Sequence, residues 1–142
     1  MHAFRTVHAD ASHIAVLVEN RQKFALELGG PQDDKVMEIL REQITRYFSE
    51  AMKTGECISV LAYHDDQLAG IGSMIVRQQP GNFKNPTGRW GYIMNMYTVP
   101  EFRRQGVCKL ILNELVDAGN KIGITAFELH ATPSGAPVYA QN

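Results

Sequence analysis

Between Asp33 and Lys53 the apolar residues Val36, Ile39, Leu40, Ile44, Tyr47 and Phe48 recur at spacings of three and four, and Gly55 stands just past the last of them. That period is the stripe of one helical face with a glycine stop, so it predicts a helix with a buried side. The preceding segment repeats the pattern with Ile14, Leu17, Val18, Ala25 and Leu28, from a capping Asp10 or Ser12 to Gly29-Gly30-Pro31. From Cys57 the period changes. Residues 57–63 and 68–76 are β-rich runs separated by His64-Asp65-Asp66-Gln67, a tight antiparallel hairpin. Residues 4–7 predict a short first strand. A polar stretch over 78–88 predicts a mobile loop, a candidate substrate lid beside the long strand 90–99. A third helix follows to about Ala118 with Val107, Leu110, Ile111 and Leu115 on one face, then a strand over 124–131 and a short helical segment around 137–141. This order of elements predicts an α/β fold with a mixed, mainly antiparallel central sheet and flanking helices.

Composition narrows the setting. The 142 residues, 44% hydrophobic and 20% charged, are ordinary for one globular domain spanning 1–142. A net charge of -1 gives no general attraction to nucleic acid or to an anionic membrane, so any anion site must be built locally. No apolar run approaches a membrane span, and Met1-His2-Ala3-Phe4-Arg5 lacks the apolar core of a signal peptide, which makes the cytoplasm the expected location. Cys57 and Cys108 lie far apart and the five histidines are scattered, so reduced thiols and no metal site are expected.

The candidate chemistry lies where strand 90–99 meets the third helix, at Pro100-Glu101-Phe102-Arg103-Arg104-Gln105-Gly106-Val107-Cys108-Lys109. A helix that opens there leaves its first N–H groups unpaired, with their dipoles favouring an anion. Gly106 removes the side chain that would block the approach, and Arg103, Arg104 and Lys109 supply cations suited to a phosphate. A pyrophosphate is a natural guest, although a capped helix with a solvated basic face reads the same way. The three-glycine dinucleotide pattern and the GK[ST] phosphate loop are both absent.

Arg103-x-x-Gly106-x-Cys108 after a strand and a Pro-Glu-Phe turn resembles the acetyl-CoA signature of the GNAT N-acetyltransferase superfamily. The segment from Leu129 to Tyr139 resembles the family stretch that ends in a tyrosine near the cofactor sulfur. The resemblance implies the GNAT acyltransferase fold, with coenzyme A and an amine acceptor as partners and acetyl-CoA as co-substrate. It implies that Met96, Tyr97 and Thr98 offer backbone groups to the pantetheine arm, and that Arg103, Arg104, Gln105, Gly106, Val107, Cys108 and Lys109 form the pyrophosphate cradle. Cys108 departs from the usual glycine or alanine but is still small. Tyr139 is the implied general acid for the leaving thiolate, since a phenol pKa of about 10 suits that task. Glu128 and His130 share one face of their strand by alternation and are the candidate bases, Glu128 first. Thr132 stands where the family commonly carries a cofactor-contacting asparagine, and Asn95 is a candidate for holding substrate or an ordered water.

Two other classes fit the same motif: a non-catalytic acyl-CoA-binding module, and a protein-interaction domain in which the helix start is merely capped. The family pattern also continues past the tyrosine with further strands, whereas this sequence ends at Asn142. The expectation is an uncovered edge along 124–131, with C-terminal strands missing and low stability or a homodimer as the result. The Arg77, Lys84 and Arg89 group around the polar loop hints at an acidic group on the acceptor.

Overall fold

The computed structural model describes residues 3–129. Its five strands, β1 (Arg5–His8), β2 (Cys57–His64), β3 (Gln67–Gln78), β4 (Arg89–Thr98) and β5 (Phe127–Leu129), form one sheet in chain order. Neighbours pair antiparallel from β1 to β4, and β5 joins β4 in parallel. Three helices flank the sheet: α1 (Ile14–Gly29), α2 (Asp34–Thr54) and α3 (Val107–Lys121). The mixed, mainly antiparallel sheet expected from the sequence is therefore present.

Local chemistry sets the helix ends. The Asp10 carboxylate accepts from the Ser12 backbone N–H and begins a 3-10 turn, Ala11–His13, that runs into α1. Asp33 caps α2 by accepting from Val36 N–H at 2.8 Å, and Gly55 ends it with a left-handed φ of 78°.

The sheet separates two cores. On one face α3 lays Val107, Ile111 and Leu115 against Val60, Met74, Ile93 and Met96. On the other, α1 and α2 bring Leu17, Val18, Ile44 and Phe48 against Leu61, Ile71, Ile75 and Tyr97. Close seating of α3 depends on two strand glycines. A Cβ on Gly72 would lie 2.5 Å from both the Ile111 side chain and Met96 Sδ, and one on Gly70 would lie 2.9 Å from Val107 and from the Tyr97 carbonyl. Only glycine lets the first turns of α3 rest directly on β3.

Two expectations need correction, the extent of the helical stripes and the start of the last strand. The apolar stripes of the two N-terminal helices are core only where the sheet lies beneath them: Val36 is 45% exposed, Ile39 58% and Leu28 61%. Strand pairing in β5 begins at Phe127 rather than 124; Ile124 is buried in the segment leading in, its N–H donating to Gly119 O. The loop over 78–88 is knit by its own hydrogen bonds, Gln79 N–H to Gly88 O, Asn85 N–H to Asn82 Oδ1 and Asn85 Nδ2 to Arg89 O. The helical segment expected around 137–141 lies outside the described residues.

Candidate active site

The site begins with an irregularity in β4. Ile71 pairs with Tyr97 and Ser73 with Met94, so Asn95 and Met96 together oppose the single residue Gly72. This is a β-bulge, and Asn95 occupies its left-handed position at φ 58°. Asparagine tolerates that conformation better than most side chains. The extra residue changes which way the strand faces. Tyr92 and Met94 belong to the α1/α2 core, and strict alternation would send Asn95 to the α3 side with Ile93. Instead Asn95 faces the α1/α2 side, where its Oδ1 accepts from Arg21 Nη1 at 3.1 Å. It is 3% exposed, and its Nδ2 is buried with no partner among the described residues.

Past the bulge, β4 leads through the 3-10 turn Pro100–Phe102 to α3. Arg104 (φ 64°) and Gly106 (φ 84°) are both left-handed, and Gly106 is the N-cap of α3. Alternating hand of this kind turns successive N–H groups to one side, making an anion-binding concavity at a helix start. The N–H groups of Arg104, Gly106, Val107 and Lys109 have no partner among the described residues, and a Cβ on Gly106 would meet nothing within 4 Å. Free donors and open space fit the pyrophosphate of coenzyme A.

A cavity of about 250 Å³ opens on the α1/α2 face at the bulge, lined among others by Arg21, Tyr47, Ser73, Arg77, Met94 and Asn95. Arg21 is largely enclosed, and burial pulls its pKa below the usual arginine value. Arg77 lies over the rings of Tyr92 (4.7 Å) and Trp90 (5.6 Å). The Tyr47 phenol is pushed up to about 12, first by burial. Ser73 Oγ shares a hydrogen bond of 2.7 Å with Ser59 Oγ beneath.

The residues singled out in the sequence fall into distinct places. Met96, Tyr97 and Thr98 form the part of β4 between bulge and cradle; among the described residues β5 pairs with β4 only over Gly91, Tyr92 and Ile93. Arg103 faces away from a phosphate role: its guanidinium donates to Glu27 at 2.8 Å and to Thr98 O at 3.0 Å and stacks on Tyr97. Gln105 Nε2 reaches back to Glu101 O, and Cys108 packs against the α3 core. Glu128 is exposed and pairs in register with Tyr92, which puts it on the face of the cavity but outside its lining. Of the three cations around the polar loop, only Arg77 lines the cavity; Arg89 donates to Ile122 O, and no residue of 78–88 is in the lining, so the lid expectation finds no support there. Tyr139, His130 and Thr132 lie outside the described residues. Sequence reasoning missed Arg21 and Tyr47, which periodicity assigns only to a helix, and the two strand glycines. The signal for the latter was available as Gly70-Ile71-Gly72 inside a strand.

Comparison with known proteins agrees with this geometry. No curated protein is significantly similar to the chain in sequence. Among solved structures, a predicted acetyltransferase from Clostridium acetobutylicum, crystallised with acetyl-CoA, is 28% identical, with a TM-score of 0.87 over 98% of this chain and 88% of that one. A GCN5-related N-acetyltransferase from Ralstonia eutropha superposes with a TM-score of 0.84 at 19% identity, covering 98% of this chain and 90% of that one. Glucosamine-6-phosphate N-acetyltransferase from Arabidopsis thaliana does so at 0.72 and 17%, covering 98% and 89%. The last two are likenesses of fold. The family model described as Acetyltransferase (GNAT) family matches residues 19–140. With nearly its whole length matched, the chain belongs to the GNAT acetyltransferase family and is an N-acetyltransferase.

Proposed function

We propose that the chain moves the acetyl group of acetyl-CoA to a primary amine by direct attack in a ternary complex. The observation that carries this reading is the bulge at Asn95: Asn95 lines the cavity on one side of β4, and the strand leads on, along Met96, Tyr97 and Thr98, to the N–H groups at Gly106 that are unpaired among the described residues. Donor and acceptor then meet at one point on the strand, and proximity supplies much of the rate. Bound coenzyme A contributes the thioester as acyl donor. The cradle N–H groups hold the pyrophosphate, and the edge of β4 aligns the amide-bearing arm as a partner strand would. Tyr139 supplies the proton to the leaving sulfur. Glu128, on the cavity's face of β5, takes the proton from the amine through water, with His130 as the second choice; either role contributes about 10²–10⁴-fold.

The test has two readouts. Acetyl-CoA at a hundredfold excess over its dissociation constant should stabilise the protein by about 2.7 kcal/mol, and Gly106→Glu, which sets a carboxylate in the cradle, should abolish that gain. A thiol-release assay over amines should then show turnover that Tyr139→Phe lowers without weakening acetyl-CoA binding. Equal stabilisation in the Gly106→Glu variant, or no thiol release with any amine, would reject the reading.

A further inference from the structure

The cavity beside Asn95 carries more positive charge than an ordinary amine site needs. Arg21 and Arg77 both line it, and among the described residues neither has a carboxylate within ion-pair distance. Glu27, an acid on the same helix as Arg21, is taken by Arg103. Enclosing the Arg21 guanidinium without a counter-charge is unfavourable, and structural arginines normally acquire one; Arg77 is exposed and adds its charge at the mouth of the cavity.

The way the two side chains are held leaves their donors available. The Tyr92 and Trp90 rings lie 4.7 and 5.6 Å from the Arg77 guanidinium and hold it beside the cavity by cation–π attraction, which uses none of its N–H donors in an ion pair. Arg21 spends one N–H on Asn95 Oδ1, and that contact fixes the guanidinium at the cavity wall. The Tyr47 side chain adds a neutral hydroxyl to the same lining. Every one of these groups suits a compact oxyanion with several lone pairs. A polycationic acceptor would meet two like charges and no carboxylate in the lining. The volume of about 250 Å³ falls below the usual range for drug-sized ligands, which limits the occupant to a small molecule or one residue of a longer one.

We propose that Arg21 and Arg77 form an oxyanion-binding subsite for the acceptor, and that the acceptor is a small amine bearing a carboxylate or phosphate. The inference rests on the acetyl-transfer reading above and names its substrate class. It also replaces the expectation that Lys84 and Arg89 share in recognising an acidic group.

Matched acceptor pairs test it: amino acids against their carboxamides, and phosphoethanolamine against ethanolamine, each assayed by thiol release with acetyl-CoA. The carboxamides have the less basic amine and hold more free base at neutral pH, so a preference for the acids cannot come from nucleophile supply. The acid member of a pair should have kcat/KM at least tenfold above its neutral partner, and whichever pair shows the larger ratio identifies the oxyanion. Arg21→Gln and the exposed Arg77→Gln should each shrink that ratio about 10–100-fold, mainly through KM. Arg77→Gln keeps the test available if Arg21→Gln does not fold. Neutral acceptors used as well as acids, or a ratio unchanged in a folded variant, would overturn the subsite while leaving acetyl transfer standing. Absence of acetyl-CoA binding in titrations of the parent protein would overturn both.

Discussion

Asn95 meets three demands together: a left-handed backbone at φ 58°, near-complete burial, and an oxygen turned toward Arg21. Substitution can separate the first from the last. Asn95→Gly and Asn95→Ala both delete the contact with Arg21, but only alanine is held in a conformation that strains a Cβ by roughly 1–2 kcal/mol. Urea denaturation should therefore place Asn95→Ala below Asn95→Gly by about 1 kcal/mol. Equal midpoints would mean that the bulge relaxes without its asparagine. At this scale the sequence was only partly readable. The cluster Arg103, Arg104 and Lys109 was visible as charge, yet nothing in its spacing separates the guanidinium bound to Glu27 from residues whose backbone opens toward a ligand. Asn95 stood out as a polar residue in an apolar strand, but its side depends on a bulge, and one extra residue inverts alternation.

Among the elements, α3 and β3 have to be considered as one unit. The cradle at the start of α3 sits beside β4 because Gly70 and Gly72 let Val107 and Ile111 approach the sheet. Gly72→Val would push Ile111 and Met96 aside, with overpacking costing about 1–3 kcal/mol. The N-terminal turn of α3 should shift with it. Chemical denaturation should show the loss, and titration with acetyl-CoA should show weaker binding in the folded variant; unchanged affinity would mean that the cradle does not depend on how α3 is seated. Element type and order were readable from period alone, down to Asp33 and Gly55 at the ends of α2. What the helical stripe could not tell was how far the sheet extends beneath it. Val36 and Ile39 lie on the same stripe as Ile44 and Phe48, yet the first pair is exposed and the second buried.

For the whole molecule, the cavity leaves a mark on stability at high pH. The Tyr47 phenol is pushed up from its ordinary 10.0 to about 12, first because burial penalises the phenolate; Cys57 and Glu56 add to the rise and Arg77 and Arg21 oppose it. The folded protein thus keeps this proton after the unfolded chain has released it. The stabilisation is fully present below pH 10 and is lost as pH rises from about 10 through 12. Tyr47→Phe has no proton to lose, so its stability should fall less steeply across that window than the parent's. Superimposable profiles from denaturation at each pH would contradict the burial of this hydroxyl.

The division of the sheet into two faces has a consequence for how such a protein can be altered. On the proposed reading, the donor is held by backbone groups at the start of α3, while acceptor choice rests on side chains from α1, α2 and the outer face of β3 and β4. Libraries that randomise Arg21, Tyr47 and Arg77 can therefore explore new amines without disturbing the chemistry that loads the acyl group. A lineage that inherits this chain can drift toward a different nitrogen by the same route, changing what it modifies while keeping the donor it spends.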